Sequence, residues 1–192
     1  RQTDLAELHR QIAASRLATL VSHGPQGLQA SPLPLLLEPG EGEAGTLYGH
    51  LARANPHWRE LAAGEALAIF SGPEAYVSPS WYPGKAADGK AVPTWNYVAV
   101  HAYGQAEVFD EPERLRRLLG HLSERHEAGR AQPWSLDDAP RDYIDAMLGA
   151  IVGFALPIRR LEGKWKLSQN RPAADRAGVR QGLAASIDPR AR

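Results

Sequence analysis

Apolar positions recur along the chain in two rhythms, one helical and one extended. Near the start, Leu5, Leu8 and Ile12 share a helical face, with Asp4 as the capping residue and Glu7 three positions later. Residues 17–22 and 28–37 then read as two strands joined by the turn-rich His23-Gly-Pro-Gln-Gly27, which makes them antiparallel neighbours. Pro32 and Pro34 cannot donate ladder hydrogen bonds, so the second strand belongs at a sheet edge or carries a bulge. Further strands are predicted over 45–50, 66–71, 75–78, 94–106, 151–161 and 163–168. Asn55 and Pro56 open a helix that stops at Gly64. Asp110-x-x-Glu113 opens another, whose stripe is Leu115, Leu118, Leu119 and Leu122, and a short helix follows Asp138 as far as Leu148. Residues 79–93 read as a loop with a mobile polar tip, and the chain beyond Asn170 reads as partly flexible.

Six to eight short strands, linked by tight turns and interrupted by helices, predict a mainly β (α+β) fold. The architecture is a single antiparallel barrel with peripheral helices. Its domain covers residues 1–170, followed by a basic segment over 171–192. There is no β-α-β alternation and no G-x-G-x-x-G, which argues against a Rossmann domain.

Charge and cysteine content narrow the function. The 22 basic and 22 acidic residues cancel, so no global field draws the chain to nucleic acid or a membrane. The balance is local: residues 157–192 hold 9 basic and 3 acidic groups, a net +6. That end is either a solvated tail or a surface for an anionic ligand or a partner subunit. Cysteine is absent, which removes thiolate catalysis and thiol metal sites and fits a cytoplasmic location. The longest apolar run, residues 147–158, is too short to span a bilayer. No signal-peptide pattern opens the chain, which starts without Met and reads as beginning after a missing or processed stretch.

Three segments carry candidate chemistry. In Gly49-His-Leu-Ala-Arg-Ala-Asn-Pro-His-Trp58, the residues His50, Arg53 and Asn55 stand beside a helix N-terminus, a place for a phosphate or simply an Asn cap with a surface Arg. In Val92-Pro-Thr-Trp-Asn-Tyr-Val-Ala-Val-His101, strand alternation sends Trp95, Tyr97, Ala99 and His101 to one face, and Thr94, Asn96, Val98 and Val100 to the other. Such a strip suits a planar heterocycle or ordinary barrel packing equally. In Glu162-Gly-Lys-Trp-Lys-Leu-Ser-Gln-Asn-Arg171, Lys164, Lys166 and Ser168 share a face and Gln169 follows, a donor set for a phosphate or a flavin's polar edge, or an exposed basic strand. A three-histidine metal site from His50, His57 and His101 is disfavoured, and no metal is expected. No residue stands out as a catalytic acid or base.

Together with Ala75-Tyr-Val-Ser-Pro-Ser-Trp-Tyr-Pro83, Lys85 and Ile151-Val-Gly-Phe154, these segments resemble the PaiB-type FMN-binding negative transcriptional regulators. The resemblance runs in order through nearly the whole chain, except for the Met-Tyr-x-Pro segment with which members usually begin. It implies an antiparallel split β-barrel of the FMN-binding type, a homodimer and two flavin sites at the subunit interface. By the same analogy Ser31 to Leu33 face the flavin ring through free backbone groups, and His50, Arg53 and Asn55 hold the phosphate. Thr94, Trp95, Asn96 and Tyr97 line the ring, while Lys164, Lys166, Ser168 and Gln169 complete the polar edge or reach over from the partner. The function it implies is negative regulation of transcription. A flavin-dependent oxidoreductase, related in fold to pyridoxamine-phosphate oxidases and flavin reductases, is the alternative. Haem held by His50 or His101 is a third and weaker reading. No helix-turn-helix is legible, so DNA contact would need a local basic surface.

Overall fold

The computed structural model describes residues 1–25, 27–85 and 89–186. The mobility expected at the tip of the 79–93 loop concerns residues 86–88, which lie outside the described residues, as do the last six of the basic segment. Helix α1 (Leu5–Ala14) is capped as expected, with Asp4 Oδ1 accepting from Glu7 N at 2.9 Å. Glu7 turns to Arg10 instead of back to the cap. The strands are β1 (Ala18–Gly24), β2 (Gly27–Leu33), β3 (Leu36–Glu38) and β4 (Thr46–Ala52), then, after helix α2 (His57–Leu61), β5 (Glu65–Val77) and β6 (Thr94–Gln105). Strand β7 (Glu107–Phe109) precedes helices α3 (Pro112–Glu127) and α4 (Arg141–Gly149), strand β8 (Ile151–Lys166) and helix α5 (Ala173–Ala184).

The strands form one antiparallel sheet in the order β2-β1-β5-β6-β8-β4-β3, with β7 paired to β8. Its two ends do not pair with each other, so the wrapped sheet stays open: a split barrel with peripheral helices, as the sequence implies. Strand β2 pairs only with β1, which puts Pro32 on an edge strand where its missing donor is harmless.

Inward rows of β1, β4, β5, β6 and β8 meet Leu8 and Ile12 of α1, which closes over the barrel core. A second core forms where Leu115, Leu118 and Leu122 of α3 meet Ile144 and Leu148 of α4 over Phe109 and Ala155. Each such buried Leu contributes about 1.5–3 kcal/mol. Asp110 does not cap α3: Glu111 takes that position and Asp110 faces Arg53.

Two strands are longer than their sequence suggests. The segments 66–71 and 75–78 form one strand because Gly72-Pro73 makes a bulge between Ser71 and Glu74, not a break. Likewise 151–161 and 163–168 merge into β8, whose first half pairs with β4 and whose second half pairs with β6. After Asn170 the structure carries a docked helix where flexibility is expected. Gly178 and Gly182 of α5 sit so close to Trp81 that a Cβ on either would come within 2.0 and 2.2 Å of it. Val179 packs with Val77 and Tyr82, and the buried Asp175 accepts from Gly84 N at 3.0 Å.

Candidate flavin-binding site

Opposite residues of an antiparallel pair point to the same face, and the β6–β8 register sets Tyr97 against Lys166, Ala99 against Lys164 and His101 against Glu162. Val98 and Val100 are buried on the inner face. The alternation read along residues 94–101 is therefore the one observed, and Lys164 and Lys166 share the Tyr97 face, with Lys166 nearest its ring. Small Ala99 leaves a depression, and a groove of about 500 Å3 runs over it, lined by Arg1, Tyr97, His101 and Lys164 among others. Lys166 Nζ donates to Thr94 Oγ1 at 2.6 Å and to Trp95 O at 2.8 Å, and lies 5.8 Å from the Tyr97 ring centroid. Trp95 is half exposed and meets Tyr76 edge-on, with centroids 5.9 Å apart. This face offers positive charge next to a flat ring, which suits an anionic planar ligand.

Asn96 faces the other way, and so does Ser168, expected beside Lys164 and Lys166: the strand ends at Lys166, so its alternation does not carry on to Ser168. Both are buried, and Ser168 Oγ donates to Asn96 Oδ1 at 2.9 Å. Ser168 has a φ of 59°, a left-handed turn that Gln169 closes by accepting from Leu167 N at 2.7 Å and donating to Trp165 O at 2.6 Å. These residues fasten the end of β8 under the lysines.

The 50–55 segment sends its three candidate side chains to three different neighbours. Arg53 donates to Gly149 O at 2.9 Å and Ile151 O at 3.1 Å, with Asp110 at 3.4 Å. Asn55 accepts from His57 N and donates to Ser31 Oγ at 3.2 Å. His50 lines a cleft beneath α3. Burial holds its imidazole below the usual pKa, so it is neutral near pH 7 and a poor holder of phosphate. Leu33 lies in the barrel core, although its strand keeps a free edge.

His57 is read from the sequence as a histidine that hydrogen-bonds within the structure rather than as a metal ligand, and its partners are what the sequence does not name. The structure buries it completely, with Nδ1 2.9 Å from Ser31 Oγ and Nε2 2.9 Å from Ser22 Oγ. The signal was Ser22, a polar residue in the inward row of Ala18 and Leu20. His50, His57 and His101 do not converge, and no cluster of three metal-ligating side chains occurs among the described residues. Burial depresses the pKa of His57 despite the opposing charge of Glu60. Between that value and about 6.5 the unfolded chain binds a proton that the folded one refuses, so stability is full above pH ~6.5 and falls as the pH drops below it. Urea unfolding at pH 7.5 and 5.5 should show this loss, and His57→Gln should shrink it; an equal loss in the variant would exclude His57 as its source.

The family described as "Putative FMN-binding domain" matches residues 1–160. The chain belongs to this family. FMN is its cofactor, and the cationic, aromatic β6–β8 face is a donor set that fits an anionic flavin. The Bacillus subtilis protease synthase and sporulation protein PAI 2 is 38% identical over 145 residues, 75% of this chain and 67% of that one. An uncharacterised Aspergillus fumigatus protein is 37% identical over 172 residues, 72% of this chain but 66% of its own length. The fold matches that of the FAD- and haem-binding protein of Mycobacterium smegmatis, with a TM-score of 0.65 at 20% identity, covering 92% of this chain and 78% of that one. Among the described residues no helix is long and apolar enough to cross a membrane.

Proposed function

We propose that two copies of this chain bind FMN between them and that the flavin-loaded dimer represses transcription in the cytoplasm. The flavin lies on the β6–β8 face of one copy, against Tyr97, Lys164 and Lys166. The free edge of β2 at Ser31 to Leu33 and the Arg53–Asn55 turn of the second copy close over it. One observation carries this reading. Ala52, next to Arg53, pairs with Ile151 at the start of β8, whereas Lys164 and Lys166 stand at its far end. The intervening strand, 151 to 164, has a contour of roughly 43 Å, longer than an FMN molecule, so the two donor sets meet one flavin most simply across a subunit interface.

Repression rests on the resemblance to PaiB-type regulators. Exposed Arg176 and Arg180, one turn apart on α5, are the place for contact with a DNA backbone. Native mass and absorbance decide the first part: a dimer carrying one flavin per chain is expected, and a colourless monomer in excess FMN would overturn it. Gel shifts on the protein's own promoter across a salt series test direct DNA contact, which should weaken steeply as salt rises.

A flavin-dependent oxidoreductase is the second reading, favoured by the open groove of about 500 Å3 over β6–β8, in which a bound flavin would stay accessible to a reductant. Bound FMN would then supply the redox chemistry while the chain positions it. Steady NADH or NADPH oxidation by the loaded protein supports this reading, and its absence supports the regulator alone.

A further inference from the structure

A cleft of about 250 Å3 opens between α3 and the outer face of β4, with Pro34, His50, Leu119, Leu122 and Trp134 in its walls. It is apart from the flavin groove, because His50 pairs with Gly153 near the opposite end of β8 from Lys164. The charge of its walls differs as well. No Lys or Arg lines it; its other polar lining residues are Ser123, His126 and Glu127, and the Glu127 carboxylate accepts from Trp134 N at 3.2 Å and pairs with Arg130 at 3.1 Å. Glu127 therefore braces the Trp134 wall and sets a carboxylate at the cleft, so an entering anion meets a like charge and no Lys or Arg.

His50 supplies the polar handle. Its Nδ1 is shut off from solvent and has no hydrogen-bond partner. A buried acceptor without a partner is tolerated more readily than a buried N–H without one, so the proton belongs on Nε2. The imidazole then meets the cleft as a donor. Leu119, Leu122 and Trp134 offer apolar surface around it. An apolar cavity of about 150 Å3 holds benzene, so this space admits one ring with a substituent.

We propose that this cleft binds a neutral one-ring aromatic compound bearing a carbonyl-type acceptor, the ring lying against Leu119, Leu122 and Trp134 and the acceptor taking a hydrogen bond from His50 Nε2. The inference rests on the flavin lying on the β6–β8 face, as proposed above. Acetophenone is a suitable probe, titrated into the FMN-saturated chain and followed by NMR of the Trp134 indole N–H and the His50 ring nitrogens.

Saturable shifts at both residues are expected, with the His50 spectrum showing the Nε2–H tautomer. His50→Phe keeps the ring volume and removes the donor, and should weaken binding about five- to tenfold. Trp134→Ala, at a partly exposed wall, should weaken it too and serves if the first variant does not fold. Benzoate, the same ring with a negative charge, should bind at least several-fold more weakly. Equal binding of benzoate, no saturation at these two residues, or displacement of FMN by acetophenone would each overturn the proposal; the last would put the flavin itself in the cleft.

Discussion

Lys166→Ala is expected to weaken FMN binding by about 1.5–3 kcal/mol, roughly ten- to a hundredfold, the usual worth of a hydrogen bond to a charged group. An ammonium group has three donors, and Thr94 Oγ1 and Trp95 O take two of those on Lys166. These bonds aim the group, and the third hydrogen and the charge are left for the flavin. Quenching of FMN fluorescence during titration gives the dissociation constant directly. Because part of the effect is Coulombic at a solvent-exposed face, the gap between wild type and variant should narrow as salt is raised. Thr94→Val should give a smaller loss in the same direction, since it frees Lys166 without removing it. Identical curves for wild type and Lys166→Ala would remove the β6–β8 face from the flavin site.

Phe154→Ala should be the most damaging single change to the fold, costing about 3–5 kcal/mol. The ring is 1% exposed and stands opposite Gly49 across the β4–β8 ladder. That glycine has no side chain because the space is taken: a Cβ there would lie 2.7 Å from Phe154 Cζ and 2.6 Å from Leu35 Cδ2. Truncating Phe154 therefore empties a volume that its opposite neighbour cannot fill, and residues 33 and 35 lose their packing surface as well. Against a total stability of about 5–15 kcal/mol for a domain, such a loss is a large fraction. Urea denaturation should show a lower midpoint at an unchanged slope; a midpoint within error of wild type would mean that the neighbours collapse into the gap.

Much of this is legible in the sequence, for reasons that particular residues make clear. The Asp4 cap, the antiparallel pairing of β1 with β2 and the leucine stripe of α3 are local signals, and local geometry carries them. The outward face of Tyr97, Lys164 and Lys166 was legible too, because strand alternation is fixed once an extended conformation is assumed. What local pattern cannot supply is a partner distant in sequence. Arg53 finds its acceptors at Gly149 and Ile151, and His57 finds Ser22, more than thirty positions away. Close packing around glycine is equally hidden from local pattern. Gly72 lies between two predicted strands and makes a bulge in one, while in the stretch after Asn170, expected to be partly flexible, Gly178 and Gly182 admit a tryptophan to a docked helix.

Strand β8 is shared by both halves of the sheet, pairing with β4 and β7 through its first residues and with β6 through its last. Neither half can open without breaking hydrogen bonds to a strand the other half also needs. The two lobes are thereby joined through a single strand, and the β8 amides bonded to β4, β7 and β6 are expected to be among the slowest in the molecule to exchange.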